Sequence, residues 1–343
     1  MKKLLLRVDF NVPIKNGKIT DSFRILSHIP TIKYFLKKKY QIFLLSHLGG
    51  AIKHFDLVHE FLEKKLRQQI FFLKGKIPIK PPRFKEKLIL FDNLRLNSGE
   101  TNNDIKFSEN LASFGDIFVN DAFGSSHRKH ASIVGLPKFL PSQLGPLFKK
   151  EIYELKKSFD SPHPFLLVIG GNKFSTKEPL ISKFLNKADH IFIGGALANT
   201  FLKQRGEFVG KSFIENIKIP KNILWNKKII LPIDFNIKNG IIFDFGPASV
   251  KILKNLAKNS KFILWNGTLG LCEKRFIFGT KSFIEALKKL EAYKIAGGGD
   301  TVTVIHQLGL AKNFDFISTG GGAMLEFLAN GTLFGIDAIR KKY

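Results

Sequence analysis

The chain has 343 residues, 44% of them hydrophobic, with a formal net charge of +27 and a single cysteine, Cys272. That length exceeds what one hydrophobic core usually serves, so two domains are expected. One cysteine excludes an intrachain disulfide and fits a reducing, cytoplasmic compartment, and no apolar run is long enough to span a membrane. The start, Met1 to Leu6, has the look of a signal peptide, but Arg7 and Asp9 interrupt it too early. The lysines are spread along the whole chain without a dense basic tail. Nucleic-acid binding is therefore not expected as the main function.

In chain order, Lys3 to Phe10 reads as a strand, with a turn at Lys15-Asn16-Gly17-Lys18 and a helix capped by Asp21 or Ser22 that runs through Arg24 to about Lys38. Gln41 to Ser46 is a strand ending in His47-Leu48-Gly49-Gly50. A helix over 55–67, a strand over 70–73 and a loop at 78–82 come next. Lys87 to Phe91 is a strand closed by Asp92-Asn93-Leu94-Arg95. A helix over 105–114 leads to a strand over 117–121, and Ala122 to Arg128 closes it. Strands alternating with helices imply a parallel sheet, whose ligands sit beyond the carboxyl ends of the strands. Those ends supply Asp9, Asn11, His47, Arg95 and Arg128, with Arg24 at the start of the first helix. The set suits a small molecule bearing carboxylate or phosphate.

Leu144 to Ser158 reads as an amphipathic helix meeting the breaker Asp160-Ser161-Pro162-His163-Pro164, and the domain junction is placed there. The alternation then restarts. Strands are expected over 165–169, 190–193, 228–231, 241–245, 262–265 and 290–295. Several end in glycines: Gly170-Gly171, Gly194-Gly195, Gly267, Gly297-Gly298-Gly299 and Gly320-Gly321-Gly322. Between 296 and 301 the chain reads Ala-Gly-Gly-Gly-Asp-Thr, a turn ahead of a helix from Val302. Glycines let backbone N–H groups approach a ligand, and the helix end adds about +0.5 elementary charge, which together make an anion seat. Asp300 at its lip is placed to hold a Mg²⁺ shared with phosphates. Lys173 and Lys177, spaced one helical turn apart after Gly170-Gly171, read as phosphate contacts.

Three weaker motifs are set aside. Gly206 to Ser212 approximates a phosphate-binding loop, but it has one residue too few between its glycines and comes after a helix. Asp244-Phe245-Gly246 matches a protein-kinase triplet without its companions. His127 and His130 lack a cysteine or acidic cluster that would complete a metal site, and a structural or substrate role is the better reading.

The stretches RVDFNVP (7–13), SHLGG (46–50), NLR (93–95), VNDAFGSSHRKHAS (119–132), GGNKFSTK (170–177), ANTFL (198–202), WNGTLG (265–270), GGGDT (297–301) and STGGGA (318–323), with the segment from Asp21 to Arg24, resemble the phosphoglycerate kinase family nearly end to end. The resemblance implies an α/β protein of two Rossmann-like three-layer αβα domains with parallel sheets, joined by a hinge helix. Residues 1–150, with 331–343 returning to them, would bind phosphoglycerate, and residues 151–330 would bind nucleotide. It implies reversible phosphoryl transfer between 1,3-bisphosphoglycerate and MgADP, giving 3-phosphoglycerate and MgATP, by a cytoplasmic monomer. Carried over by position, Asp9, Phe10, Asn11, Arg24, His47, Leu48, Gly49, Gly50, Arg95 and Arg128 would meet the phosphoglycerate. Lys173, Lys177, Glu273, Gly297, Gly298, Gly299, Asp300 and Thr301 would meet the nucleotide, with Asp300 on the metal. Arg24, Lys173, Gly320 and Gly321 would meet the phosphoryl group in transfer. Three departures stand out: Gly50 where the family usually has Arg, Thr268 where it usually has Pro, and loops trimmed after Gly50 and between Leu231 and Gly246. Gly50 and the positive charge leave a competing reading, a non-enzymatic relative that binds nucleotide or polyanions.

Overall fold

The computed structural model describes residues 1–50 and 53–340. They divide into two compact units, one of the described residues within 1–153 and 330–340 and one of Glu154–Ala329. The helix Pro146–Lys156 runs across that boundary.

In the first unit β1 (Lys3–Arg7) precedes a small hairpin, β2 (Ile14–Lys15) and β3 (Lys18–Ile19). Then come β4 (Gln41–Leu45), β5 (Phe71–Leu73), β6 (Leu88–Phe91), β7 (Ile117–Asn120) and β8 (Ser142–Leu144). Six of these form one sheet in the order β5-β6-β4-β1-β7-β8, every pairing parallel. The strands are near-continuous apolar runs because both faces are covered. The side-chain period of two sorts them: Leu4, Leu6, Ile42, Leu44, Leu88 and Leu90 enter one core, while Leu5, Phe43, Ile89, Phe91 and Phe118 enter the other. Ile25 and Ile32 of the helix Phe23–Lys37, and Val58 and Leu62 of the helix Asp56–Leu66, close the first face. Leu111 and Ala112 of the helix Ile105–Ala112 close the second. The helix Phe334–Arg340 also belongs here, with Gly335 N–H donating to Ser126 O. The last residues, to Tyr343, lie outside the described ones.

The second unit repeats the plan with β9 (Phe165–Ile169), β10 (His190–Ile193), β11 (Ile229–Ile230), β12 (Phe235–Lys238), β13 (Ile241–Phe245), β14 (Phe262–Asn266), β15 (Tyr293–Gly297) and β16 (Phe316–Ile317). The parallel sheet runs β11-β10-β9-β14-β15-β16. Both units are thus α/β with six parallel strands each.

Several sequence-based boundaries shift. β13 is a strand, but it pairs antiparallel with β12 as a separate hairpin and takes no place in the parallel sheet. β8 ends at Leu144, where the sequence pattern suggests the start of a helix; its Ser142-Gln143-Leu144 is too short and polar to show the strand pattern. The strand expected over 290–295 starts at Tyr293 and runs on through Gly297, because pairing with β14 extends to Asn266↔Gly297. Ladder hydrogen bonds hold Gly297 extended against its turn propensity. Residues 172–177 are not helical, so Lys173 and Lys177 do not share a helical face; Lys177 stands at the N-cap of the helix Glu178–Phe184. The trimmed loop expected after Gly50 falls on residues 51–52, outside the described ones. Among the described residues no helix is long and apolar enough to cross a membrane.

Leu5 is fully buried, whereas Leu26 is 40% exposed. Leu5→Ala should lower stability by about 3 kcal/mol, and Leu26→Ala should change it by less than about 0.5 kcal/mol. Urea denaturation monitored by far-UV circular dichroism reads both.

Candidate functional site

In the first unit the register aligns Arg7 with Leu45 and with Asn120, so β1, β4 and β7 end level. The loops leaving these three strands meet at one edge. Arg7, the last residue of β1, is fully buried. Its Nε donates to Ser132 Oγ at 2.8 Å, and an Nη lies 2.9 Å from His47 Nδ1. A guanidinium can only donate, so His47 Nδ1 accepts and the ring is neutral, with its proton on Nε2. Burial first, and then Arg7, hold the His47 pKa well below its usual value. His47 is therefore a neutral hydrogen-bond donor, not a cation. Glu100, fully buried, takes the N–H and Oγ–H of Ser132 at 3.0 and 2.6 Å and completes the support.

Asp9 is held from two sides. Its N–H donates to His28 Nε2 at 2.9 Å, and the other ring nitrogen of His28 lies 3.1 Å from Asp121 Oδ2. Its carboxylate faces Arg24 Nη1 at 3.6 Å. Burial alone would raise the Asp9 pKa; Arg24 and Arg7, with the Asn11 N–H, outweigh it, and the carboxyl stays below its usual range. Arg24 also donates to Asn11 O at 2.9 Å, and Asn11 Oδ1 accepts from Gly49 N–H at 2.9 Å. Gly49 lies against Arg95, where an added Cβ would stand 3.6 Å from an Nη. Burial and then the positive charge of Arg128 push the Arg95 pKa down. Asp9, Asn11, Arg24, His47, Gly49 and Arg95 are thus brought together. Arg128 is exposed. Phe10 and Leu48 are buried at 0% and 3% exposure, so only their backbones can face a ligand. Gly50 is exposed at φ +83 with open space around it.

In the second unit Ile169, Asn266 and Gly297 are in register, so Gly170, Gly267 and Gly298 line one edge. Here backbone packs on backbone. A Cβ on Gly170 would overlap Thr268 O, and one on Gly195 would lie 2.7 Å from Gly171 O. Thr268 O accepts from Gly171 N–H at 2.9 Å, and Thr301 Oγ1 accepts from Gly267 N–H at 2.9 Å. Gly298, at φ +106, turns the chain into the helix Gly299–Gln307, so Asp300 and Thr301 belong to its first turn and the helix begins three residues earlier than the expected Val302. Gly299 has open space where a side chain would stand, and a Cβ on Gly321 would lie 3.3 Å from Gly299 N. The helix Gly321–Asn330 therefore begins beside the helix Gly299–Gln307, and two positive helix ends meet.

Lys177 reaches this edge, with its Nζ bonded to Asn266 Oδ1. Burial lowers its pKa from 10.5 to about 8, against an opposing pull from Asp300. Lys173 is exposed. Asp300 and Glu273 line a cavity walled by Phe213, Phe235, Ile241, Phe243 and Leu271. Asp244, from the discarded triplet, lines the same cavity. It accepts from Phe245 and Gly279 N–H at 2.9 and 3.0 Å, and burial pushes its carboxyl up to about 6. The discarded segment around Gly206–Ser212 packs on the β12–β13 hairpin, with Ser212 Oγ accepting from Ile242 N–H at 2.9 Å. His130 Nδ1 lies 3.6 Å from Glu100 Oε1, and among the described residues no group of three metal-ligating side chains forms. Sequence reasoning missed Arg7, His28, Glu100 and Asn266. Arg7 was findable, since a cation ending an apolar strand calls for a buried partner.

Because the folded pKa of Lys177 is below that of an unfolded lysine, the unfolded chain binds more protons between pH 8 and 10.5, and stability should rise with pH across that window. The rise, at most on the order of 3 kcal/mol, should be missing in Lys177→Met when urea denaturation of the two proteins is compared.

The chain is similar to known proteins over nearly its whole length. The family model described as phosphoglycerate kinase matches residues 1–331. A phosphoglycerate kinase of Pseudothermotoga lettingae is 39% identical, covering 99% of this chain and 96% of the relative. That alignment runs over 383 positions against 343 residues here, so the relative carries insertions this chain lacks. The solved structure of phosphoglycerate kinase from Coxiella burnetii superposes with a TM-score of 0.82 at 33% identity, covering 99% of this chain and 96% of that one. The one from Pyrococcus horikoshii gives 0.87 at 25% identity, covering 100% and 97%. The chain belongs to the phosphoglycerate kinase family.

Proposed function

We propose that this chain catalyses reversible phosphoryl transfer between 1,3-bisphosphoglycerate and MgADP, giving 3-phosphoglycerate and MgATP. The observation that carries the reading is the meeting of two helix ends at Gly299 and Gly321, with Lys177 buried beside them. Such a seat takes phosphate oxygens on backbone N–H groups. The first unit carries the phosphoglycerate: Arg24, Arg95 and Arg128 supply charge, while His47 and Asn11 supply donors. Asp9 fixes Arg24. The second unit carries the nucleotide, with the base in the apolar cavity and the ribose at Glu273.

Asp300 suits Mg²⁺. The ion keeps several waters and needs only one or two carboxylates beside substrate phosphates, and Asp300 is exposed at a helix start with no second acid required. When bound, Mg²⁺ supplies neutralising charge on the phosphate oxygens. The attacking phosphate oxygen of ADP and the departing carboxylate are both ionised near neutral pH. No general base is needed, and none is required of His47. Arg24, Lys173 and the N–H groups at Gly320 and Gly321 stabilise the oxygens of the group in transfer. A cytoplasmic monomer fits a chain with one cysteine that carries both substrate sites itself.

A coupled assay with MgATP and 3-phosphoglycerate tests the reading; a folded protein without turnover would overturn it. Lys173→Ala and Arg24→Ala should each lower turnover at least about a hundredfold. Gly50→Arg, placed at a left-handed φ of +83, should lose about 1 kcal/mol of stability while lowering the KM for 3-phosphoglycerate. Nucleotide phosphates near Lys177 should raise its pKa. ADP binding at pH 9 should then take up protons, as read by calorimetry in buffers of different ionisation enthalpy, and Lys177→Met should abolish the uptake.

A further inference from the structure

We infer that the amino edge of the first sheet, opposite the substrate-facing edge, is a docking surface for single-stranded nucleic acid. The lysines that look scattered in the sequence gather there. β1 begins at Lys3, with Lys2 before it. β4 begins at Gln41, shortly after Lys37, Lys38 and Lys39. β6 begins at Leu88, after Arg83, Lys85 and Lys87. These are adjacent strands, and backbone bonds tie their entries: Gln41 N–H to Lys2 O at 3.0 Å and Ile42 N–H to Lys87 O at 2.8 Å. At about 4.8 Å between strands, the cations sit within one short stretch of surface.

All of these side chains are exposed, and among the described residues none of them enters an ion pair. The carboxylates nearby are Glu86 and Asp116, and Asp116 already accepts from Lys3 N–H at 2.8 Å. The amino edge of the second sheet carries exposed lysines too, Lys258, Lys261, Lys288 and Lys289, but two acids stand among its bases: Asp189 takes His163 at 2.6 Å and Asp315 takes Lys294 at 3.4 Å.

Aromatic rings flank the cations. Tyr34 is 50% exposed with Lys38 Nζ 5.9 Å from its ring centre. Phe71, the first residue of β5, is 39% exposed and rests edge-on against Phe84, next to Lys85. Lysines for the backbone with exposed rings for stacking is the pattern that holds unpaired bases. Strands of four or five residues put this edge about 15 Å from the substrate edge, so docking leaves the kinase site open.

The test is fluorescence anisotropy with labelled oligouridylate of about 20 nucleotides, run over a salt series. About four to six neutralised phosphates give a log–log salt slope of about −3 to −4. The combined variant Lys2→Glu, Lys38→Glu, Lys85→Glu, Lys87→Glu should bind at least about 100-fold more weakly at about 0.1 M salt, with kinase turnover unchanged, which also reports folding. Tyr34→Ala should weaken binding several-fold without altering the slope. An equal charge change at the second edge, Lys258→Glu, Lys261→Glu, Lys288→Glu, Lys289→Glu, should have little effect. The inference is overturned if both sets weaken binding alike, if the first set leaves it intact, or if phosphatidylserine vesicles bind more tightly than the oligonucleotide.

Discussion

Backbone packed on backbone at Gly170, Gly171, Gly195 and Gly267 is the constraint on which the second unit's site depends. A side chain at Gly170 would overlap Thr268 O, a backbone atom that cannot move aside. Only because these strand ends approach so closely do the loops after β9, β10 and β14 lie in one layer. That layer leaves room for the helices starting at Gly299 and Gly321 to begin side by side. Asn266, the last residue of β14, then presents its amide oxygen to Lys177. Burial of that ammonium lowers the Lys177 pKa, and an anion seated at the two helix ends would favour its charged form. The nucleotide phosphates of the proposed reaction would bring that charge.

The first unit reaches a similar end by different means. Its carboxyl edge uses side-chain cations and donors held by buried partners. Arg7 is the clearest case: it touches no solvent, yet it decides the tautomer of His47. Glu100 and Ser132 hold it from behind, and His28 and Asp121 do the same for Asp9. Fixed donors of this kind are worth more to a transferring phosphoryl group than mobile ones, because they need no reorganisation as charge moves.

Much of this was legible in the sequence. The alternation of apolar strands with helices carries the α/β class, and strand ends such as Asp9, His47, Arg95 and the glycines after β9 and β15 carry the position of the candidate sites. The rest was hidden for identifiable reasons. β8 has three residues and is made by its neighbour. β13 has the pattern of a buried strand but pairs with β12 in a hairpin, a choice of partner that periodicity cannot express. Gly297 looks like a turn and is held in a ladder. Arg7 and Asn266 act through residues far away in the chain, 40 positions for Arg7 and His47 and 89 for Lys177 and Asn266. The basic edge of the first sheet escaped for the same reason: its lysines are separated in sequence and joined only by strand order.

Both edges offer charge and hydrogen-bond donors to oxygens, and the proposed transfer between ionised groups asks for no base. The central claim is therefore that the phosphoryl group moves between anions with no proton in flight. The most direct measurement is the solvent deuterium isotope effect on the transfer step itself, taken by rapid quench with both substrates bound. An effect near unity is expected. An effect of about twofold or more, lost on replacing His47, would mean that a proton moves in the transition state and would contradict the claim.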